Sequence, residues 1–242
     1  MTPEEYRAEL DLAKAEAVAL SAAIVREVQA AGGQLSPEAR QRVLELLFRA
    51  IEAGRERAVR VALQMHAGQS PRGYSPNVRE PHYEPHAVED LLRRTLDKAG
   101  GEDTSWPKVE REVTGAVSRH VEMAARDVVV ASVHKDKDAI GFARVLAGEE
   151  NCAFCLMLAS RGPVYGSRYL AGDPDIREFH DDCDCLVVAV FDRSNWLGRD
   201  RWKEAKSIYD QYGRGEDDPL NAIRRHLDGQ KREADQADAP AA

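Results

Sequence analysis

All four cysteines of the 242-residue chain fall between positions 152 and 185. They form two clusters, "NCAFC" with Cys152 and Cys155, and "HDDCDC" with His180, Cys183 and Cys185. A Cys-x-x-Cys pair puts two thiolates on one side of a tight turn or helix start. A second group from a distant segment then completes a tetrahedron around zinc, with zinc–sulfur bonds of about 2.3 Å. Cys183 and Cys185, two apart, face the same way on an extended strand. Five candidates compete for four places: either the four cysteines bind with His180 in support, or His180 replaces one thiolate. The mixed set of Cys152, Cys155, His180 and one of the last two cysteines is preferred. A fully ligated ion leaves no open position for water, so the site reads as a structural zinc that helps a small unit fold. Two other readings stay open, a disulfide such as Cys155–Cys183 and buried thiols without metal. A redox role would need a strand before the Cys-x-x-Cys in a doubly wound sheet, which the pattern lacks.

His180, Asp181, Asp182 and Asp184 also put an imidazole and three carboxylates within five positions. A metal-dependent nuclease or toxin-like hydrolase could use the histidine as base and the aspartates to hold Mg²⁺. Solvated loop acids beside a structural metal are the simpler reading, and no catalytic residue is assigned. No nucleophile elbow, Walker loop, H-E-x-x-H or dinucleotide fingerprint occurs.

Several elements must position these residues. Residues 1–134 read as a helical N-terminal region. Thr2 caps a first helix with Pro3 in its first turn and Glu5 closing a capping box. Its apolar stripe runs from Leu10 to Val28 and stops at Gly32-Gly33. Ser36-Pro37 opens a second helix through Val43, Leu47, Ile51 and Ala58, fading at Ala67-Gly68. The proline-rich stretch 69–86 predicts an exposed loop. A short helix follows from Pro85 to Lys98. A longer one over 105–134 carries a narrow stripe of valine and alanine suited to packing on other helices. Residues 135–192 read as a small α+β module. "IGFARVLAG" predicts a strand, the cysteine pair sits on a short helix ending at Ser160, "GPVYG" suggests a second strand, and "LVVAVF" at 186–191 a buried one. Helices are expected over 199–212 and 218–228 within a 193–228 region, with 229–242 a disordered tail. The fold class is mainly α with a small α+β module: a helical N-terminal array, a short-stranded zinc-stapled unit and C-terminal helices.

A net charge of −8 argues against a surface built to coat duplex DNA. "IRRHL" at 223–227 with Lys231-Arg232 is the compact basic patch near the C-terminal end. No apolar run approaches the roughly 20 residues of a membrane helix, and the acidic start predicts no secretory signal. Cysteines in such a chain meet a reducing cytoplasm, where metal binding outcompetes disulfides.

The stretches "FARVLAGEENCAFCLMLASRGPVYGS" and "EFHDDCDCLVVAVF" resemble the phage Mu F-like (MuF-like) minor head protein family, in the version found in actinobacterial phages and prophages. Members carry a Cys-x-x-Cys followed by a His-x-x-Cys-x-Cys that leads into a terminal strand. Cys152, Cys155, His180, Cys183 and Cys185 match that pattern, and the likeness covers roughly residues 139–192. Asp181-Asp182 stands where many members have a proline. The resemblance implies a minor capsid protein for head morphogenesis, linked to DNA packaging or delivery. Its partners would be the portal protein and the major capsid or scaffold proteins, with weak contact to packaged DNA and neither membrane nor small-molecule substrate. It implies a place in the host cytoplasm during assembly, then in the virion, at the capsid interior or portal vertex.

Overall fold

The structure is a computed structural model that describes residues 1–78, 82–99, 104–147, 152–164 and 185–237. Among them lie seven α-helices and a two-stranded sheet. Helix α1, Pro3–Ala30, starts on the capping box, with Glu5 N–H donating to Thr2 Oγ1 at 3.1 Å and Thr2 N–H to Glu5 Oε2 at 2.7 Å. It ends where Gly32 and Gly33 take left-handed φ of 84° and 82° and the Gly33 N–H caps the Val28 carbonyl. Helix α2, Pro37–Gln69, is capped by Ser36 and returns alongside α1.

Helix α4, Trp106–Lys135, packs against both. Its valine and alanine stripe is the inner surface of the three-helix layer: Val113, Val117, Val121, Ala124 and Val128 are fully buried. Small side chains let the axes come close. A Cβ built on Gly54 of α2 would stand 2.9 Å from Val121 Cγ2 and 3.3 Å from the Ala13 carbonyl oxygen, so glycine is needed where the three helices cross.

Among the described residues of 69–86, between α2 and α4, the chain is a largely exposed loop, as expected, with Tyr83 as its buried anchor. Tyr83 is buried, stacked 5.6 Å from Phe48, with the Arg55 guanidinium 4.7 Å over its ring. Helix α3 spans only Pro85–Arg94. Thr95 turns out of helical geometry, and a single 3₁₀ turn, Leu96–Lys98, completes the segment expected to be one helix.

Strand β1, Gly141–Val145, pairs antiparallel with β2, Leu186–Val190, from Gly141 opposite Val190 to Val145 opposite Leu186. Every residue of both strands is buried. Both strands contact α4, and the cysteine helix α5, Ala153–Ser160, contacts β1. Helices α6, Arg199–Tyr212, and α7, Pro219–Ala237, close over α5. The C-terminal helices therefore cover the cysteine helix, and one hydrophobic cluster runs from Tyr6 through α4 to the strands and Ile223.

Two expectations are corrected here. Residues 163–164 form a turn rather than the start of a strand, because Gly162 adopts φ 69° and the Trp202 indole fills the space a side chain would need. The reading of 229–242 as a disordered tail fails for 229–237, where α7 continues. Its lysine, arginine, glutamine and alanine are good helix formers, and the Arg232 Nε–H donates to the Asp228 carbonyl at 3.0 Å. No described helix is long and apolar enough to cross a membrane.

Candidate functional site

Cys185 stands at one end of the β1–β2 ribbon, and the helix that carries Cys155 contacts β1. Val145 faces Leu186, so Cys185, one residue earlier, stands beside the point where β1 leaves towards Cys152. Cys152 is the N-cap of α5. Its extended backbone turns the sulfur over the first turn, where it accepts the Cys155 N–H at 3.3 Å. A thiolate there meets the positive end of the helix. Cys152 is half-buried and Cys155 is buried. The far end of α5 is fixed by Trp202 of α6, whose Nε1–H donates to the Ser160 carbonyl at 3.1 Å.

Cys185 is buried at 1% exposure. Its sulfur faces Arg144 Nη1 at 3.8 Å, and its carbonyl accepts from Arg126 Nη2 at 3.2 Å. Arg144, next to the end of β1, is as deeply enclosed as the cysteine it faces. Arg126 continues inward to Glu122 Oε2 at 2.7 Å. The Glu122 carboxylate also receives Arg7 of α1 and Lys14 Nζ at 2.7 Å. Burial alone would raise the Glu122 carboxyl; the combined pull of Arg126, Arg7 and Lys14 outweighs it and holds the group below the ordinary carboxylate range. A charged relay thus runs from α1 through α4 to Cys185, the residue just before β2.

A second buried polar group holds the far end of α4. His66 Nε2 lies 3.1 Å from Asp136 Oδ2, Ser70 Oγ donates to the same oxygen at 3.3 Å, and the Phe191 ring meets the imidazole edge-on at 5.4 Å. Desolvation lowers the His66 pKa, and the Asp136 carboxylate only partly opposes it. The ring is therefore neutral near pH 7.

Of the five predicted ligands, Cys152, Cys155 and Cys185 are described, whereas His180 and Cys183 lie outside the described residues, as do Asp181, Asp182 and Asp184. Among the described residues no three His, Cys, Asp or Glu side chains gather closely enough to hold a metal ion. Reading the sequence missed Glu122, Arg126, Arg144, His66 and Asp136. A signal existed for three of them: Glu122 and Arg126, four apart, interrupt the apolar stripe of α4, and Arg144 interrupts "GFARV".

The family model of the VG15 protein matches residues 2–214, from the first helix through the cysteine module to the end of α6. The chain belongs to the VG15 protein family. Among its relatives, the Gene 15 protein of Mycobacterium phage D29 is 36% identical over 132 residues, covering 43% of this chain and 48% of its own. The Gene 15 protein of Mycobacterium phage L5 is 32% identical over 175 residues, covering 51% of this chain and 60% of its own. The chain thus spans about half the length of these curated relatives. No solved structure matches. The VG15 chain is a member of a phage protein family with a mainly helical fold.

Proposed function

We propose that this VG15 protein is a minor head protein of the MuF-like kind, a structural part of the phage particle that joins the prohead beside the portal. The observation that carries the reading is mechanical. The module bearing the family-like cysteine motif is tied to a layer of helices about 30 residues long by one shared core and by the buried relay Arg7–Glu122–Arg126–Cys185. A body joined by one continuous core suits a fixed place in an assembly. It acts by binding; the role needs no catalytic residue.

Within that reading, Cys152 and Cys155 hold a structural zinc together with His180 and Cys183. The half-buried Cys152 sulfur and its N–H···S bond fit a metal-bound thiolate at a helix start. In this reading Cys185, whose sulfur faces Arg144, is the cysteine left to support the set from outside. The ion would clip the segment before β2 to the start of α5.

Two experiments test this. The chain is tagged in a phage that encodes it, and purified proheads and virions are assayed for it by mass spectrometry. A few copies per particle are expected, and absence from both refutes the structural role. Metal content of the reduced protein is measured for wild type and for Cys152→Ser, Cys183→Ser and Cys185→Ser. One zinc is expected in wild type and Cys185→Ser, and loss in the other two. Less than one equivalent in wild type ends the zinc reading. Cleavage of DNA that is lost on neutralising Asp181 and Asp182 would point to a nuclease.

A further inference from the structure

The hairpin of α1 and α2 has one face against α4 and another with nothing on it among the described residues. On α1 this open face is the row Glu9, Leu12, Glu16, Leu20, Ala23 and Glu27, spaced by three or four residues and hence aligned along the helix. On α2 it is the row Ala39, Arg42, Leu46, Arg49, Ala53, Arg57 and Arg60, with the same spacing. Leu12 is 69% and Leu46 51% exposed, the former the most exposed large apolar side chain described. Between the rows, near the hairpin tip, an apolar hollow of about 410 Å³ is lined by Leu20, Ala23, Ala31, Leu35 and Val43, with Glu27 beside them.

Charge divides this face along its length. The α1 row carries only acids and the α2 row only bases. Arg57 and Glu16 already meet across the seam at 3.2 Å, showing that the two rows are neighbours. Arg42 and Arg49 flank Leu46 on the outer side, where Glu45 lines the same patch at its edge.

We propose that this face is a self-association surface, and that two copies of the chain pack hairpin to hairpin about a two-fold axis parallel to the helices, forming a four-helix bundle. In that arrangement α1 of one copy lies antiparallel over α2 of the other. Each acidic row therefore covers a basic row, while a parallel stacking of like rows would set acid on acid. Glu27 and Val43 line the same hollow, so Glu27 of one copy comes level with Arg42 of the other. Leu46 enters the partner's hollow beside Leu20 and Ala23. Matching interfaces of this kind are isologous, each patch serving as its own complement. The shared face is roughly 33 Å long by the helical rise and about 20 Å wide, so it would bury about 650 Å² per copy, towards the lower end of specific interfaces. That size predicts a reversible dimer. The inference uses neither the zinc nor the head-protein reading.

The test is sedimentation equilibrium of the full chain across a hundredfold range of concentration, repeated at low and high salt. Wild type should approach dimer mass with a dissociation constant in the micromolar range that weakens in salt. Leu46→Glu, at an exposed position, should raise that constant at least tenfold with an unchanged circular dichroism spectrum and melting temperature. Arg42→Glu should weaken association, Glu27→Arg should do likewise, and the two together should restore it, as facing rows require. A wild type monomeric throughout overturns the proposal and leaves the face to a different protein. A dimer indifferent to Leu46→Glu and to the charge swap overturns it equally, since association then uses another surface.

Discussion

Glu122→Gln isolates the charge that ties the cysteine strand to the helices. The glutamine keeps the shape of the side chain and one acceptor oxygen, so packing changes little. Three cations lose their anion. Lys14 is partly exposed and turns to Asp11, already 2.9 Å away; Arg7 reaches the same carboxylate at 3.0 Å. Arg126, 4% exposed, keeps the amide oxygen and the Cys185 carbonyl as neutral acceptors in place of the carboxylate. Breaking a buried pair by removing one charge costs about 3–5 kcal/mol. Because two of the three cations have Asp11 in reach, the expected loss is near 3 kcal/mol, the low end of that range. Urea unfolding at pH 7 reads it as a midpoint about 1 M or more below wild type at an unchanged slope.

The pH dependence gives an independent check. The folded Glu122 value is depressed, so its contribution is fully present above the unfolded carboxylate pKa, near 4.5. That contribution drains away as pH falls through the lower folded value. Glu4, Glu38, Asp192, Asp200 and Asp210 are lowered as well but lie at the surface, and they add the same acid slope to both proteins. The gap between wild type and Glu122→Gln should therefore be constant from pH 7 to about 5 and close below 4.5. A variant within about 0.5 kcal/mol of wild type, with a gap independent of pH, would refute the relay as a tie.

Three further outcomes are expected. Gly54→Ala should destabilise by about 1–3 kcal/mol in thermal or urea unfolding, because its Cβ meets Val121 and the Ala13 carbonyl; adding Val121→Ala should recover part of the loss. Gly162→Ala should lower the melting temperature through both its left-handed φ of 69° and contact with Trp202 Nε1, and Trp202→Phe should relieve only the contact. The folded His66 value lies below the unfolded one near 6.5, so its neutral form contributes stability above pH 6.5 that is lost as pH falls through the folded value. Unfolding between pH 7.5 and 5.5 should show that slope in wild type and a flatter one in His66→Gln.

The long helices were legible because their causes are local. Thr2 with Glu5, Ser36 with Pro37, and glycines at 32 and 33 mark ends that caps and left-handed turns determine. The apolar spacing marks the inward side. The strand at 186–190 was legible as a continuous β-branched run, and β1 as a short run ended by glycine. The cysteine motif announced itself through spacing alone. Where local preference is weak the sequence misled: 229–237 lacks an apolar period yet has strong helix formers, and Val164 is β-branched yet follows a glycine bent by Trp202 from forty residues away.

Which surface of each helix meets which neighbour was decided only by tertiary structure. A stripe of valine and alanine at 105–134 says that something packs there, but not that α1, α2 and the strands all share it. Nothing near Arg126 or Arg144 in the chain says that both reach Cys185, at separations of 59 and 41 residues. Nor does the start of α1 reveal that Arg7 finds its anion 115 residues away. Caps and periods act over a few residues and are written in neighbouring letters. Desolvation and charge pairing depend on what is enclosed together, and only the folded chain determines that.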